Sequence, residues 1–310
     1  MPYWLKTLPS GSQRLVTRIV NVSLVSADQP LVVGNILVTM SLLIGEAGID
    51  NPEAEARLLF SHALGWPLEK VWRNPEEPVC SSDQERVVEI LKRRLAHEPF
   101  AYIRGRQEFW SLDYLVGHGC LIPRSDSECL IETALDILQP GIVEASVLDA
   151  GTGSGCLLLS LLSERSLLWG VGIDISAEAL RYAKHNACML SLLDRAFFVR
   201  SDWASCLDFE FDLVICNPPY IESSEVPALM PEVSQYEPAI ALNGGRDGLG
   251  CYRLLAGHLR KLLAADGRVC MEIGFGQASS VIKIMCDSGF RQRGEKKDLS
   301  GIVRCLVFSF

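Results

Sequence analysis

The sequence lacks the patterns that mark metal-binding and disulfide-rich proteins. Its 11 cysteines form no C-x-x-C pair, and its five histidines show no spacing that suits a metal ion. Several cysteines, among them Cys216, Cys270 and Cys305, lie within apolar segments. Scattered thiols in odd number are typical of a reduced, cytosolic compartment. We therefore expect buried thiols and no metal site.

Long apolar runs and an excess of positive charge are also missing. No segment reaches the roughly 18 to 20 apolar residues that span a bilayer, and the short run of residues 36–44 suits the first helix of a small domain. The 310 residues carry 29 basic and 38 acidic side chains, a net charge of −9. This balance disfavours a bare nucleic-acid binder, although an acidic enzyme can still carry one basic cleft.

The most informative segment that is present is Asn217-Pro218-Pro219-Tyr220, which follows the apolar run of residues 211–216. That run has the length and composition of a buried parallel strand. Neither proline has a backbone N–H to donate, so the strand must end there. Open α/β sheets bind their ligands at such strand ends. Asn-Pro also opens ordinary turns, but the preceding strand favours a site.

These four residues are suited to hold a planar group that carries an NH₂. The Asn217 side-chain carbonyl can accept one N–H and the Pro218 backbone carbonyl the other. Pro219 stiffens the backbone, and the Tyr220 ring can pack on the flat face of the group. Because the lone pair of such a nitrogen is delocalised, it needs a strong electrophile, and a sulfonium methyl donor meets that need. We expect Asn217, Pro218 and Tyr220 to be catalytic.

A glycine-rich turn follows an earlier apolar segment that ends at residues 147–148. It reads Gly151-Thr152-Gly153-Ser154-Gly155 and leads into a predicted helix. Glycines here permit positive φ angles and close approach of a ligand to the backbone. The G-x-G-x-G spacing differs from the G-x-G-x-x-G of dinucleotide sites. The tighter turn suits a small zwitterionic cofactor and counts against a nicotinamide-dependent oxidoreductase.

Two further predicted strands end in polar side chains. Residues 170–174 end in Asp174, a carboxylate placed to accept ribose hydroxyls. Residues 197–199 are followed by Asp202 and Trp203, an acid and a ring able to bond and stack on an adenine. Alone, Asp174 could be a surface carboxylate and Trp203 a core aromatic. Their order along the chain, between the glycine turn and Asn217, makes the prediction specific.

Together these motifs resemble the class I S-adenosylmethionine-dependent methyltransferases, and more narrowly the peptide chain release factor N(5)-glutamine methyltransferase family. The resemblance begins near residue 36 and runs to the C-terminus. The narrower match is carried by residues 54–59, 98–103, 108–110, 121–124, 236–238, 244–249, 252–253, 272–274 and 297–301. The chain departs from the family pattern at Ser125 and Ser127, where proline and threonine are usual, and at Ser111, where glycine is common.

The resemblance implies an α/β fold, a doubly wound seven-stranded sheet that is mostly parallel with one antiparallel strand. It also implies a small helical N-terminal domain and a linking β-hairpin. The expected boundaries are an extension over residues 1–35, a substrate-docking domain over 36–97, a linker over 98–123 and the methyltransferase domain over 124–310. The aperiodic segment of residues 222–245 is predicted to be a lid or a well-packed loop beside the site.

The family's activity implies methyl transfer from S-adenosylmethionine to the side-chain amide nitrogen of the glutamine in a Gly-Gly-Gln motif. S-adenosylhomocysteine is the product, and the substrate is a class I peptide chain release factor. The implied cofactor site consists of Gly151, Thr152, Gly153, Ser154, Gly155, Asp174, Asp202, Trp203 and Asn217. The implied substrate site consists of Asn217, Pro218, Pro219 and Tyr220.

Three alternatives stay open at this point. The Asn-Pro-Pro-Tyr motif also occurs in enzymes that methylate an adenine or guanine amine of RNA or DNA, which extrude the base first. A nicotinamide-dependent oxidoreductase and a non-catalytic subunit with the same fold are the others. We expect a monomer that forms no stable complex with nucleic acid or membrane.

The first 35 residues bear on the compartment. They carry Lys6, Arg14 and Arg18 against the single acid Asp28, with frequent serines, a composition weakly like that of a transit peptide. An upstream extension or a start-site artefact is the interpretation we favour. We therefore expect a cytoplasmic protein, and an organelle matrix if the segment is a transit peptide.

Overall fold

The computed structural model describes residues 31–138, 144–203, 207–298 and 300–310. The chain divides into two compact units, the first ending at Arg104 and the second beginning at Gly105. The extension expected over residues 1–35 lies outside the described residues except at its end, where residues 33–35 are already helical.

Helices build the first unit. They are α1 (Val33–Glu46), α2 (Pro52–Leu64), α3 (Leu68–Arg73), α4 (Ser81–Leu95) and α5 (Phe100–Arg104). Their apolar faces pack into one core around Leu59, Phe60 and Leu91. Pro52 occupies the first turn of α2, where its missing N–H leaves no intrahelical bond unmade. Asn51 precedes it in a left-handed conformation and makes no side-chain cap bond.

A sheet of seven strands forms the centre of the second unit. The strands are β3 (Ala145–Ala150), β4 (Leu168–Asp174), β5 (Ala196–Arg200), β6 (Phe211–Cys216), β7 (Leu263–Glu272), β8 (Arg291–Lys297) and β9 (Val303–Ser309). Their spatial order is β5-β4-β3-β6-β7-β9-β8, and only β9 runs antiparallel to its neighbours. The predicted fold class, with one antiparallel strand in an otherwise parallel sheet, is confirmed.

Helices cover both faces of this sheet. They are α6 (Glu128–Ile137), α7 (Cys156–Glu164), α8 (Ala177–Met189), α10 (Gly250–Leu259) and α11 (Ala278–Asp287). The short helix α9 (Pro231–Tyr236) has no buried residue and belongs to a loop after β6. Successive residues of a strand point to opposite faces, and Val147 and Leu148 accordingly belong to different hydrophobic cores. Because both faces are buried, the central strands are predominantly apolar, as the sequence pattern predicts.

A β-hairpin opens the second unit. Strands β1 (Arg106–Phe109) and β2 (Leu112–Leu115) pair antiparallel. The two residues between them, Trp110 and Ser111, both have positive φ angles, of 53° and 55°. A left-handed turn favours glycine, which gives a physical reason for the glycine that is common in the family at the position of Ser111. Here the indole Nε1 of Trp110 donates to Glu164 at 2.8 Å and ties the turn to α7.

The segment of residues 222–245 contains more structure than its sequence predicts. Helix α9 lies within it, flanked by two 3₁₀ turns, Val226–Ala228 and Ala239–Ala241. The segment returns beside the end of β6, where Ile221 forms an isolated parallel bridge with Asn243. Each piece is too short to show helical periodicity in the sequence.

The strand order creates one crevice at the centre of the sheet. From β3 the chain moves outward through β4 to β5, then returns to place β6 on the other side of β3. In open α/β sheets a ligand binds outside the carboxyl ends of the strands at such a reversal. The glycine turn after β3 and the Asn217 segment after β6 both lie at this point.

The ten cysteines within the described ranges are free thiols, and Cys216 and Cys270 lie in the interior of the sheet. Burial raises the pKa of the Cys216 thiol well above its ordinary value, so it is neutral at physiological pH. No helix in the same ranges is long and apolar enough to cross a membrane.

Close packing of α7 on the sheet predicts opposite effects for two glycine-to-alanine substitutions. A Cβ at Gly170 in β4 would lie 2.5 Å from Leu158 Cδ1 and 2.6 Å from the Val147 carbonyl oxygen, whereas one at Gly257 in α10 meets nothing within 4 Å. Gly170→Ala should therefore lower the free energy of unfolding by about 1–3 kcal/mol. Gly257→Ala should raise it by up to about 1 kcal/mol, because alanine favours the helix. Urea unfolding of both variants checks this, and a neutral Gly170→Ala would contradict the packing argument.

Candidate active site

A cavity of about 230 Å³ lies at the carboxyl ends of β3, β4, β5 and β6. It brings together side chains and turns that are far apart in the sequence. The predicted site residues that line it are Gly151, Thr152, Gly153, Ser154, Asp174, Asp202, Trp203, Asn217 and Pro219. Gly155, Pro218 and Tyr220 do not line it.

The glycine turn lies along the end of β4. The backbone N–H groups of Gly151 and Thr152 both donate to the carbonyl of Ile173 at 2.9 Å. Gly151 and Gly153 have φ angles of 83° and 55°, a conformation that side chains disfavour. A Cβ at Gly153 would meet nothing within 4 Å, so the turn presents bare backbone to the cavity.

Gly155 has a different role from the one the sequence predicts. It begins α7, and a Cβ there would lie 3.1 Å from Leu159 Cδ1 and 3.2 Å from the Cβ of Ala183. Its small size therefore lets α7 and α8 approach each other. Sequence spacing could not separate this packing role from a ligand contact, because both need a residue without a side chain.

Asp174 holds the turn in place through its carboxylate. Its Oδ2 accepts from the Gly153 N–H at 2.9 Å, and its Oδ1 accepts from the Ser176 N–H at 2.8 Å. Burial raises the pKa of Asp174, while hydrogen bonds from backbone N–H groups act in the opposite direction. Each carboxylate oxygen has a second lone pair, so both remain able to accept a hydroxyl from the cavity.

Asp149, near the end of β3, is a buried carboxyl group that the sequence analysis missed. Its side chain is fully buried, and burial raises its pKa to about 7. Thr152 Oγ1 donates to its Oδ2 at 2.6 Å, whereas its Oδ1 has no hydrogen-bond partner within the described ranges. The available signal was an acid inside an otherwise apolar strand directly before the glycine turn.

Asp202 and Trp203 follow β5 at the rim of the cavity. Asp202 is exposed to solvent, and Trp203 is half-buried with a positive φ of 48°. The indole lies beside the glycine turn, since a Cβ at Gly151 would be 3.9 Å from its Cζ3. The structure therefore brings together the two motifs that were expected to hold opposite ends of one cofactor.

Asn217 lines the cavity with its side-chain amide fixed on one side. Its Nδ2 donates to the hydroxyl of Ser127 at 3.0 Å. Within the described ranges, no protein group donates to the Asn217 Oδ1 or to the Pro218 carbonyl. Both oxygens that the sequence analysis assigned as amide acceptors thus keep their lone pairs, although the Pro218 ring itself is buried.

Tyr220 points away from the position that was expected for it. Its hydroxyl is directed at Glu272, with an O–O distance of 3.5 Å to Oε1, and its backbone carbonyl accepts from Gln277 Nε2 at 2.9 Å. Burial, followed by the nearby charge of Glu272, raises its pKa to about 12. The Tyr220 side chain is therefore directed toward Glu272, and its backbone carbonyl helps to hold the turn after β6.

The segment of residues 222–245 closes one side of the cavity. Pro238, Ile240 and Asn243 belong to its lining. The buried carboxylate of Glu237 anchors the segment, because it accepts from the Ile122 N–H at 3.2 Å and pairs with Arg124. The segment is thus an ordered, packed loop that lines the cavity, and its role as a lid stays a prediction.

The lining offers two kinds of polar contact. Around the glycine turn, backbone groups are left uncovered by side chains and the Asp174 carboxylate lies beside them. These groups suit a compact ligand with hydroxyl or amine donors. At the end of β6 the Asn217 side-chain carbonyl is an oxygen acceptor in the lining, which suits a planar group that donates an N–H. The two sets share one cavity, so a donor molecule and an acceptor group can meet there.

Comparison with known proteins gives two family matches along the chain. Residues 36–105 match the family described as PrmC N-terminal domain, and residues 143–293 match the family described as Methyltransferase domain. The release-factor-specific protein-(glutamine-N5) methyltransferase of Alicyclobacillus acidocaldarius is a solved structure with 28% identity and a TM-score of 0.38. The alignment covers 63% of this chain and 98% of that one.

Two relatives are similar over most of their length. The release factor glutamine methyltransferase of Rhodospirillum rubrum is 40% identical over 280 residues, covering 90% of this chain and 86% of that protein. The enzyme of the same name from Agrobacterium fabrum is 39% identical over 265 residues, covering 84% and 92%. The resemblance inferred from the motifs is confirmed, and the chain belongs to the release factor glutamine methyltransferase family.

Proposed function

We propose that this protein methylates the side-chain amide nitrogen of the glutamine in the Gly-Gly-Gln motif of a class I peptide chain release factor. S-adenosylmethionine is the proposed methyl donor. The observation that carries the proposal is the Asn217 side chain, whose Nδ2 is committed to Ser127. Its Oδ1 is thereby left in the cavity wall as an acceptor for the substrate amide.

The reaction requires that a poor nucleophile be held in one orientation. An amide nitrogen has a delocalised lone pair, and acceptors on its two hydrogens favour the charge that develops as it attacks. Asn217 Oδ1 and the Pro218 carbonyl come from consecutive residues at the end of β6, and both lack protein donors within the described ranges. They are the pair that we assign to the two amide hydrogens.

The residues around the glycine turn fit the proposed cofactor. When bound, S-adenosylmethionine supplies a methyl group on a positively charged sulfur, an electrophile strong enough for an amide. Gly151 and Gly153 leave backbone bare for its methionine part, and Asp174 retains lone pairs for its ribose hydroxyls. Trp203 beside Gly151 supplies a flat apolar surface for its adenine.

The first unit is proposed to dock the release factor, because a small amide pocket cannot select one glutamine among many proteins. Its surface carries large apolar side chains that are more than half exposed. Val38 and Leu42 lie one turn apart on α1, with 62% and 63% exposed, and Trp72 at the end of α3 is 63% exposed. Binding energy at such a remote surface can position the acceptor glutamine.

Methylation of an adenine or guanine amine is the rival activity, and it is not favoured. The net charge of −9 and the names of the relatives both count against it. One assay separates the two activities: radiolabelled methyl donor is supplied with purified release factor, total RNA and DNA, and the labelled species is identified. Label in nucleic acid and none in the release factor would overturn the proposal.

Removing the amide acceptor should slow the reaction. We expect Asn217→Ala to lower kcat about 100- to 1000-fold, the range found for a hydrogen-bonding group that acts in the transition state. Affinity for S-adenosylmethionine should change much less than the rate. Single-turnover methylation and calorimetric binding measure the two quantities. Asn74→Ala, which removes an exposed side chain that bonds only Lys70 O, is the control. Equal rates for both variants would refute the role of Asn217.

Changing the ribose carboxylate should affect binding first. Asp174→Asn replaces one acceptor oxygen by a donor that faces a backbone N–H, and it removes the charge. Hydrogen bonds to charged groups contribute about 1.5–3 kcal/mol, so the Kd of S-adenosylmethionine should rise by about 10- to 150-fold. Calorimetry checks this against Asp194→Asn, a change at an exposed acid after α8. An unchanged Kd would contradict the assignment.

A charge on the exposed surface of α1 should weaken substrate docking. We expect Leu42→Asp to raise the KM for release factor by about tenfold or more, as for other apolar interface residues. Both kcat at saturation and the Kd of S-adenosylmethionine should stay the same. Leu193→Asp, at a 47% exposed leucine after α8, is the matched control. If both variants keep the parent KM, this part of the first unit does not dock the substrate.

A further inference from the structure

We propose that Asn186 is a positioning residue that fixes the glycine turn against the β1–β2 hairpin and so sets the shape of the cofactor part of the cavity. The inference rests on the proposed function for the identity of the cofactor. Asn186 is not part of the cavity lining, so it acts through the backbone groups that it holds.

The side chain of Asn186 joins two elements that are far apart in the sequence. It projects from α8 and is fully buried. Its Oδ1 accepts from the Leu115 N–H at 2.7 Å, and its Nδ2 donates to the Leu115 carbonyl at 3.1 Å. The same Nδ2 donates to the Ser154 carbonyl at 2.8 Å. One carboxamide thus bonds the last residue of β2 and the glycine turn at once.

The backbone of Leu115 decides the orientation of this carboxamide. A backbone N–H can only donate, so Oδ1 must face it. The two hydrogens of Nδ2 are then directed at the carbonyls of Leu115 and Ser154, which can only accept. The opposite orientation would set N–H against N–H and oxygen against oxygen. Because both hydrogens are used, the position of the turn is tied to that of the hairpin.

The Ser154 carbonyl depends on a donor from outside its own helix. The hydrogen-bond ladder of α7 begins one residue later, where the Leu159 N–H donates to the Gly155 carbonyl at 2.9 Å. A buried carbonyl that loses its donor is unfavourable. Without the Asn186 donor, the peptide group after Ser154 would therefore have to rotate toward another partner.

Such a rotation would change the surface that the turn presents to a ligand. Gly153 and Ser154 are consecutive, and both line the cavity. The glycines with positive φ make the turn adaptable, so its shape depends on the side chains that hold it. Asp174 holds the Gly153 N–H at 2.9 Å, and Asn186 holds the next carbonyl. Losing the second contact disturbs the first, which involves the carboxylate assigned to the ribose.

The hairpin side of this junction also leads to the cavity. Leu115 is followed directly by the linker, in which Gly119 and Leu121 line the cavity. The hydroxyl of Tyr114, the preceding residue, donates to the Cys156 carbonyl at 3.2 Å and so ties β2 to the start of α7. The junction therefore connects two parts of the lining, the glycine turn and the linker.

The test compares two variants of Asn186 with a control at the opposite edge of the sheet. Asn186→Asp keeps the size and the acceptor but loses both donors, and Asn186→Ser leaves a hydroxyl that donates only one hydrogen bond. Arg195 also bonds backbone groups alone, donating to the carbonyls of Leu162, Arg165 and Leu168. Arg195→Met removes these bonds at the amino ends of β4 and β5, away from the cavity.

We expect Asn186→Asp to raise the Kd of S-adenosylmethionine by about tenfold or more and Asn186→Ser by about threefold or more, measured by calorimetry. The kcat at saturating cofactor and the KM for release factor should stay near the parent values, because the junction does not hold the Asn217 segment. Arg195→Met should lower the urea midpoint and leave the Kd unchanged. A loss of stability alone does not alter the affinity of the folded molecules, so this split separates positioning from a purely structural role.

Two results would overturn the inference and leave the proposed function intact. One is an Asn186→Asp protein that folds and keeps the parent Kd; if that variant does not fold, a parent Kd for Asn186→Ser has the same meaning. The other is an equal rise in Kd for Asn186→Asp and Arg195→Met, because the effect would then follow stability. A parent protein that binds no S-adenosylmethionine would refute the proposed function, and this inference with it.

Discussion

The parallel pairing of β3 with β4 on one side and β6 on the other is the constraint on which the rest of the site depends. It brings three carboxyl strand ends to one edge of the sheet, each followed by a segment that cannot continue the strand. After β3 come glycines, and after β6 come two prolines without N–H groups. Because the sheet ladder ends at these residues, their backbone and side-chain hydrogen-bond acceptors remain available to ligands.

Buried carboxyl groups reinforce this edge at a cost in stability. Asp149 and Glu272 lie in the interior, and burial raises the pKa of each to about 7. A raised carboxyl pKa means that the native state binds a proton more tightly than the unfolded chain does. The contribution of each group to the free energy of unfolding is therefore greatest at low pH and is lost as the pH rises to about 7. Asp149 accepts a hydrogen bond from the Thr152 hydroxyl and so orients a group that lines the cavity. Orientation of site groups is a physical reason for keeping acids in an apolar core.

Under the proposed function, the division into two units separates the reaction from the selection of the substrate. The second unit contains the cavity and all the side chains assigned to cofactor and amide, whereas the first contributes a helical surface with exposed leucine, valine and tryptophan. A pocket that recognises only a carboxamide gains specificity when another surface must bind first.

The sequence by itself determined the features that are local. Strand composition, the glycine turn, the acid at the end of β4 and the Asn-Pro-Pro-Tyr segment are each written within a few residues. They were enough to predict the sheet and the strand-end turns that line the cavity. Only the tertiary structure decided that Gly155 packs between helices, that Tyr220 faces Glu272, and that Asn217 is oriented by Ser127. Those contacts join residues far apart in the chain, and a sequence pattern does not encode the direction of a side chain. The hydrogen-bond partners it finds depend on how the strands and helices pack.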